Sequence, residues 1–127
     1  MSLYREELME IYKNPAHRGT IQKPSVTVHK KNAMCGDEID LVLEVKDNKI
    51  SDARFDGSAC SVSIISSDLL LDFVVGKTLE EASKITKDDL LKLIDLNLTT
   101  SRVKCATLVL NALTTAIEKY QKEHKQI

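Results

Sequence analysis

Residues 38–56 read EIDLVLEVKDNKISDARFD. Ile39, Leu41, Leu43 and Val45 alternate with Asp40, Glu44 and Lys46, the period-two signature of a half-buried strand. Val42 is the one apolar residue on the outward side. Ile50 to Asp56 reads as a partner strand, joined through Asp47-Asn48-Lys49. Two hairpin registers compete. A two-residue turn at Asp47-Asn48 pairs Lys46 with Lys49 and Leu43 with Asp52, which sets a carboxylate on the core face. A three-residue loop pairs Lys46 with Ile50, Leu43 with Ala53 and Leu41 with Phe55. The second is preferred, because a slip of one residue turns every side chain to the other face. Three-residue loops with one αL position are also common, and Asn48 or Lys49 suits that position.

Working outward, Ser25 to Lys31 alternates Val26 and Val28 with Thr27 and His29 and reads as a further strand. Tyr4 to Lys13 has helical spacing at Tyr4, Leu8, Ile11 and Tyr12. Asn14-Pro15 ends it, since the residue before proline is pushed out of the α region. Ser61 to Val75 is a helix almost wholly apolar on one broad side, with Val62, Ile65, Leu69 and Phe73, and Ile64, Leu71 and Val74 beside them, and with Gly76 as its terminator. Thr78 with Glu81, and Thr86 with Asp89, mark the starts of two short helices by the capping-box spacing. A last helix runs from Arg102 to Glu123, capped within Thr99-Thr100-Ser101, with Val103, Leu110, Leu113, Ile117 and Tyr120 inward. The expectation is one α+β domain over residues 1–127. It has a small three-stranded antiparallel sheet, helices on one face and a long C-terminal helix.

Hydrophobic residues make up 43% of the 127, enough for a packed core. Net charge is −1 and aromatic content 4%, with no Trp. That balance lacks the basic face of a nucleic-acid binder and the rings that stack on bases. Arg5, Glu6, Glu7 and Glu10 leave no apolar signal-peptide core near the start, and no run is long enough to span a membrane. The expected location is cytoplasmic.

The chain has three cysteines, Cys35, Cys60 and Cys105. Their separations do not resemble paired C-x-x-C spacing, so any shared site is assembled by the fold. In a reducing compartment the choice is metal, nucleophile or plain core. Cys35-Gly36-Asp37 lies in the loop before the second strand, where glycine accepts positive φ and lets a ligand approach the backbone. Cys60 lies where the third strand turns into the apolar helix. Cys105 falls in the first turn of the last helix, beside Arg102 and Lys104. Helix N-termini and neighbouring cations favour a thiolate. Thiolates and a carboxylate are accepted by zinc, and thiolates by iron–sulfur clusters. His17, His29 and His124 sit in polar contexts and are expected to be solvated.

Taken in order, these residues resemble the U-type iron–sulfur cluster scaffold family, IscU and SufU, with the N-terminal part of NifU. The resemblance spans nearly the whole chain. It runs through Tyr12-Lys13-Asn14-Pro15 with Gly19, Cys35-Gly36-Asp37, Ser51-Asp52-Ala53-Arg54-Phe55, Cys60 with its Ser-rich helix ending at Gly76-Lys77, and Lys104-Cys105. It implies cluster or zinc ligands at Cys35, Asp37, Cys60 and Cys105. It further implies sulfur supplied by a cysteine desulfurase, a transient [2Fe–2S] cluster and delivery to apo iron–sulfur proteins. An alternative within the resemblance is a zinc-dependent sulfurtransferase, in which one thiolate accepts sulfur. Outside it stands a structural zinc module, which Asp37 disfavours because an all-thiolate closed site is the more usual structural choice. Whether the chain is an enzyme is therefore open.

Lys104 stands where the IscU branch has His, and is similar to SufU. The stretch from Thr78 to Thr100 is shorter than the SufU branch carries. Leu98-Thr99-Thr100-Ser101-Arg102 replaces the Leu-Pro-Pro-Val-Lys motif of IscU, which leaves chaperone docking in doubt. Ala59 stands in place of the usual Gly. Persulfide is expected at Cys35, in its glycine loop, or at Cys105, with Lys104 as an ancillary charge. Cys60, leading into the apolar helix, is expected to be the least accessible cysteine.

Overall fold

The hairpin forms, but on the turn that the sequence disfavours. The computed structural model describes residues 2–32, 36–94 and 100–123. Strand β2 (Asp37–Lys46) turns into β3 (Lys49–Asp56) through two residues, Asp47 at φ 53° and Asn48 at φ 62°. Two consecutive left-handed residues define a type I′ turn, whose twist matches that of the strands. Lys46 pairs with Lys49 and Val45 with Ile50. A β-bulge then takes up Ser51, so Glu44 pairs with Asp52, Leu43 with Ala53 and Leu41 with Phe55. The Ser51 hydroxyl seals the bulge by donating to Glu44 O at 3.1 Å and to Glu44 Oε1 at 2.8 Å. The expected core register is therefore right and the expected loop is wrong. One extra residue in β3 reconciles a two-residue turn with an apolar inner face.

Strand β1 (Val26–Asn32) pairs antiparallel with β2, which gives the order β1-β2-β3. The outer edge of β3 is covered at both ends. Phe55 exchanges main-chain hydrogen bonds with His17 O and Gly19 N, and Ile50 with Lys77 O and Gly76 N. An edge strand protected in this way cannot template pairing with another chain over those groups. His17, expected to be solvated, is held instead. Its N–H donates to Asp68 Oδ1 at 2.7 Å, its Nδ1 lies 3.1 Å from Ala53 O, and its Nε2 lies 3.3 Å from Asp72 Oδ1. This ties the segment after helix α1 (Ser2–Lys13) to both β3 and helix α2 (Ser61–Val74).

The remaining helices are α3 (Leu79–Ser83), α4 (Lys87–Ile94) and α5 (Thr100–Glu123). Helix α5 lies across β1 and β2, while α2 packs against α5 and β3. The sheet's inner residues Ile39, Leu41, Leu43, Ile50 and Ala53 meet Leu70, Leu71, Val74, Leu113 and Ile117 in one core. Each large side chain buried there contributes about 1.5–3 kcal/mol. Thr78 and Glu81 form the expected capping box, and Thr86 and Asp89 bond reciprocally in the same way. Those bonds hold the Glu81 and Asp89 carboxyls below their ordinary range. No helix among the described residues is long and apolar enough to cross a membrane.

The buried side of α2 is not centred where expected. Ile64, Ile65, Leu71 and Val74 are buried as expected, but Phe73 is exposed and Val62 and Leu69 are half-buried, while Ser63, Ser66, Ser67 and Leu70 are buried as well. Serine can occupy this face because its hydroxyl is satisfied within the helix. Ser66 donates to Val62 O and Ser67 to Ser63 O, each at 2.7 Å.

On the outer face, exposed His29 donates through Nδ1 to Asp40 Oδ1 (2.6 Å), and its Nε2 lies 3.4 Å from Glu38 Oε1. The Asp40 hydrogen bond raises its pKa above the ordinary value near 6.5. The folded chain thus holds this proton more tightly than the unfolded chain. The contribution is complete below the ordinary value and is lost as pH rises through the raised one. Asp40→Asn is expected to bring the His29 titration, followed by NMR, back toward its ordinary midpoint. A midpoint that stays put would remove Asp40 as the cause.

Candidate metal centre

Three elements converge where β2 begins. Gly36 stands at φ 72° and donates its N–H to Asn32 O at 2.8 Å, closing the β1–β2 connection. Asp37 follows as the first residue of β2 rather than as a loop residue, and is only 3% exposed. Beside it runs the link from β3 to α2. Gly57 adopts φ 127° and presses so closely that a Cβ there would lie 2.2 Å from Glu38 O. Ser58 O accepts the Glu38 N–H at 2.8 Å. That contact delivers Cys60, the N-cap of α2, to Asp37. The Cys60 N–H donates to Asp37 Oδ1 at 3.0 Å, and its Sγ to Asp37 Oδ2 at 3.3 Å.

Cys105 enters from α5. Ligand atoms of Asp37, Cys60 and Cys105 all lie within 4.8 Å of one another. Two thiols and a carboxylate bound to one zinc are separated by about 3.3–3.8 Å, given bonds of about 2.0–2.3 Å and tetrahedral angles. The described donors thus fit a metal with small side-chain movements. An uncompensated buried carboxylate is costly, and here both Asp37 oxygens already accept hydrogen bonds. The sequence places Cys35 in the same ligand set; Cys35 lies outside the described residues, as do His124 and Leu98-Thr99 of the stretch considered for chaperone docking.

Two expectations need correction. Because α5 begins by Thr100, Cys105 lies in its second turn, beyond the unpaired N–H groups of the helix start. And Cys60 is not the least accessible cysteine. It is partly exposed, whereas Cys105 is buried at 3%. An N-cap stands at the helix's open end, while α5 packs against α2, β1 and β2. Lys104 is exposed on α5.

One site residue escaped the sequence reading. Ser63, wholly buried, lies 2.5 Å by its Oγ from Asp37 Oδ2 and 2.9 Å from Cys105 O. It stands three residues after the N-cap Cys60, whose Sγ lies 3.7 Å from its Oγ, and the spacing of N-cap to third helical residue is a signal present in the sequence.

Fold and site together define an α+β domain that brings a carboxylate and two cysteines together between a sheet and two helices. A family model described as NifU-like N terminal domain matches residues 3–127, and the chain belongs to that family. It is 32% identical to the zinc-dependent sulfurtransferase SufU of Bacillus subtilis, over 93% of this chain and 91% of the relative. It is 34% identical to the iron-sulfur cluster assembly enzyme IscU of Drosophila melanogaster, over 100% of this chain and 84% of the relative. Among solved structures, a putative iron-sulfur cluster assembly scaffold protein for the SUF system from Fervidobacterium islandicum superposes with a TM-score of 0.75 at 26% identity. That match covers 88% of this chain and 94% of the other. The N-terminal part of a NifU-like protein from Brucella abortus superposes at 0.78 with 17% identity, over 94% and 95%, which bears on the fold alone.

Proposed function

We propose that residues 1–127 act as one iron–sulfur cluster assembly domain in the cytoplasm. It accepts sulfur from a cysteine desulfurase, holds a transient [2Fe–2S] cluster as cargo, and passes it to apo-proteins. Cys35, Asp37, Cys60 and Cys105 are the holding residues. The observation that carries this reading is the mixed donor set. A carboxylate is a harder ligand than a thiolate and is held less tightly by an iron–sulfur centre, so Asp37 gives the cargo a labile corner. A closed structural site has no use for such a corner. Neither nucleic acid nor membrane enters this reading, and docking of a dedicated chaperone is not part of it.

Sulfur enters at Cys35. Cys105, the other acceptor considered, is buried at 3%. A Cys35 thiolate attacks the outer sulfur of the donor's persulfide, a new S–S bond forms at Cys35, and the donor cysteine leaves as thiolate. The zinc-dependent sulfurtransferase reading shares this step and stops there. It is favoured by Lys104 beside Cys105 and by the likeness to SufU of Bacillus subtilis.

The two readings differ in the fate of that sulfur. With desulfurase, cysteine, iron and a reductant under anaerobic conditions, the wild type is expected to develop a cluster absorbance and to transfer it to an apo-ferredoxin. Asp37→Ala is expected to retain the cluster and transfer it about tenfold more slowly, the factor that a ligand difference of about 1.4 kcal/mol produces. Persulfide on Cys35 without any cluster would replace the scaffold by the relay. Transfer from Asp37→Ala at the wild-type rate would remove Asp37 as the release point.

A further inference from the structure

The Ser63 hydroxyl has one proton and two acceptors. Oδ2 of Asp37 is 2.5 Å away and the Cys105 carbonyl oxygen is 2.9 Å away, and the serine is wholly buried. The first distance is in the range of a charge-assisted O–H···O bond to a carboxylate. Asp37 Oδ2 also accepts from Cys60 Sγ, at 3.3 Å. It is therefore the atom that a divalent metal shared with Cys60 would take. Oδ1 is already engaged by the Cys60 N–H.

We infer that Ser63 is a positioning residue that competes with the metal for Asp37 Oδ2, its hydroxyl turning to the Cys105 carbonyl when the metal takes that oxygen. This rests on the metal-centre reading above and deepens it. Without metal, the hydroxyl satisfies a buried carboxylate that would otherwise lose a donor at considerable cost. With metal, the second acceptor keeps the hydroxyl from being buried unpaired. Ser63 thus has an acceptor in both states, on β2 without metal and on α5 with it, and weakens the affinity that the donors alone would give. Weak holding suits a site that must release what it binds.

The test is zinc affinity, measured by competition with a chromophoric chelator. Ser63→Ala keeps helix propensity, since alanine ranks above serine. It is expected to bind zinc about tenfold more tightly than wild type, because only the metal-free state loses a charged hydrogen bond. Ser63→Thr restores a hydroxyl and is expected to return the affinity to within about threefold of wild type, on the same free-energy scale. In an Asp37→Ala background, Ser63→Ala is expected to change nothing, as residues acting through one another are not additive. An unchanged or weaker affinity in Ser63→Ala overturns the inference, and so does a gain that persists without Asp37. Equal zinc binding by wild type and Cys60→Ser is a separate result, which removes the metal centre itself and Ser63's role with it.

Discussion

Gly57→Ala is expected to lower stability by about 3 kcal/mol or more, the range for a buried backbone clash combined with an unfavourable φ. For a chain of this size that corresponds to a fall of roughly 10 °C in melting temperature. Two effects add. The residue stands at φ 127°, a conformation that L side chains rarely adopt, and an added Cβ would sit 2.2 Å from Glu38 O and 3.2 Å from Ile39 Cα. Both neighbours are main chain of the central strand and have no rotamer by which to yield. Relief requires the β3–α2 link to move off β2. That breaks the Glu38 N–H to Ser58 O bond and carries Cys60 away from Asp37. Gly76→Ala separates clash from strain, because Gly76 has φ 94° but nothing within 4 Å of an added Cβ. It is expected to cost about 1 kcal/mol, the glycine conformational term alone. Thermal melts of the two variants decide the matter. Equal losses would show that close packing at Gly57 adds nothing, and an unchanged Gly57→Ala would show that the link moves freely.

Much of this architecture could be read from local patterns. Alternation in β2 and the apolar periodicity of α5 reflect burial, which period alone reports. Both short-helix caps were legible because a capping box involves only residues three apart. The turn was misread for a definite reason. Asp47-Asn48 suits a type I′ turn, but in a strictly alternating β3 it would have turned Asp52 inward. Only the bulge at Ser51 removes that conflict, and a bulge has no reliable mark in one strand taken alone. His17 looked solvated because its partners, Ala53, Asp68 and Asp72, are distant in sequence. The relative burial of Cys60 and Cys105 likewise depends on how α2, α5 and the sheet meet, and the apolar run after Cys60 pointed the wrong way. The ligand types were visible as residues. Their proximity was implied by resemblance, and for Asp37, Cys60 and Cys105 it is now a matter of distance.

Zinc removal is expected to have the other large effect. Asp37, Cys60 and Cys105 come from β2, the start of α2, and α5, so one ion bound to all three crosslinks elements that the core alone must otherwise hold together. Protein purified with zinc present is expected to carry about one ion per chain, the number that a single four-coordinate site accepts. Excess chelator is expected to cost about 3–4 kcal/mol, the linkage value when free metal stands at 100 to 1,000 times its dissociation constant. The metal-free chain should still fold, since the Cys60 N–H and Ser63 already satisfy Asp37 and the sheet, α2 and α5 share one apolar core. Thiolate must form before binding, so affinity should fall as pH is lowered. In Cys60→Ser the chelator is expected to leave the melting temperature unchanged, because the site has lost a thiolate and with it most of its affinity. The measurements are metal content by mass spectrometry and paired melts with and without chelator. A wild type that holds no zinc and melts identically in both would mean that these three side chains meet for packing alone.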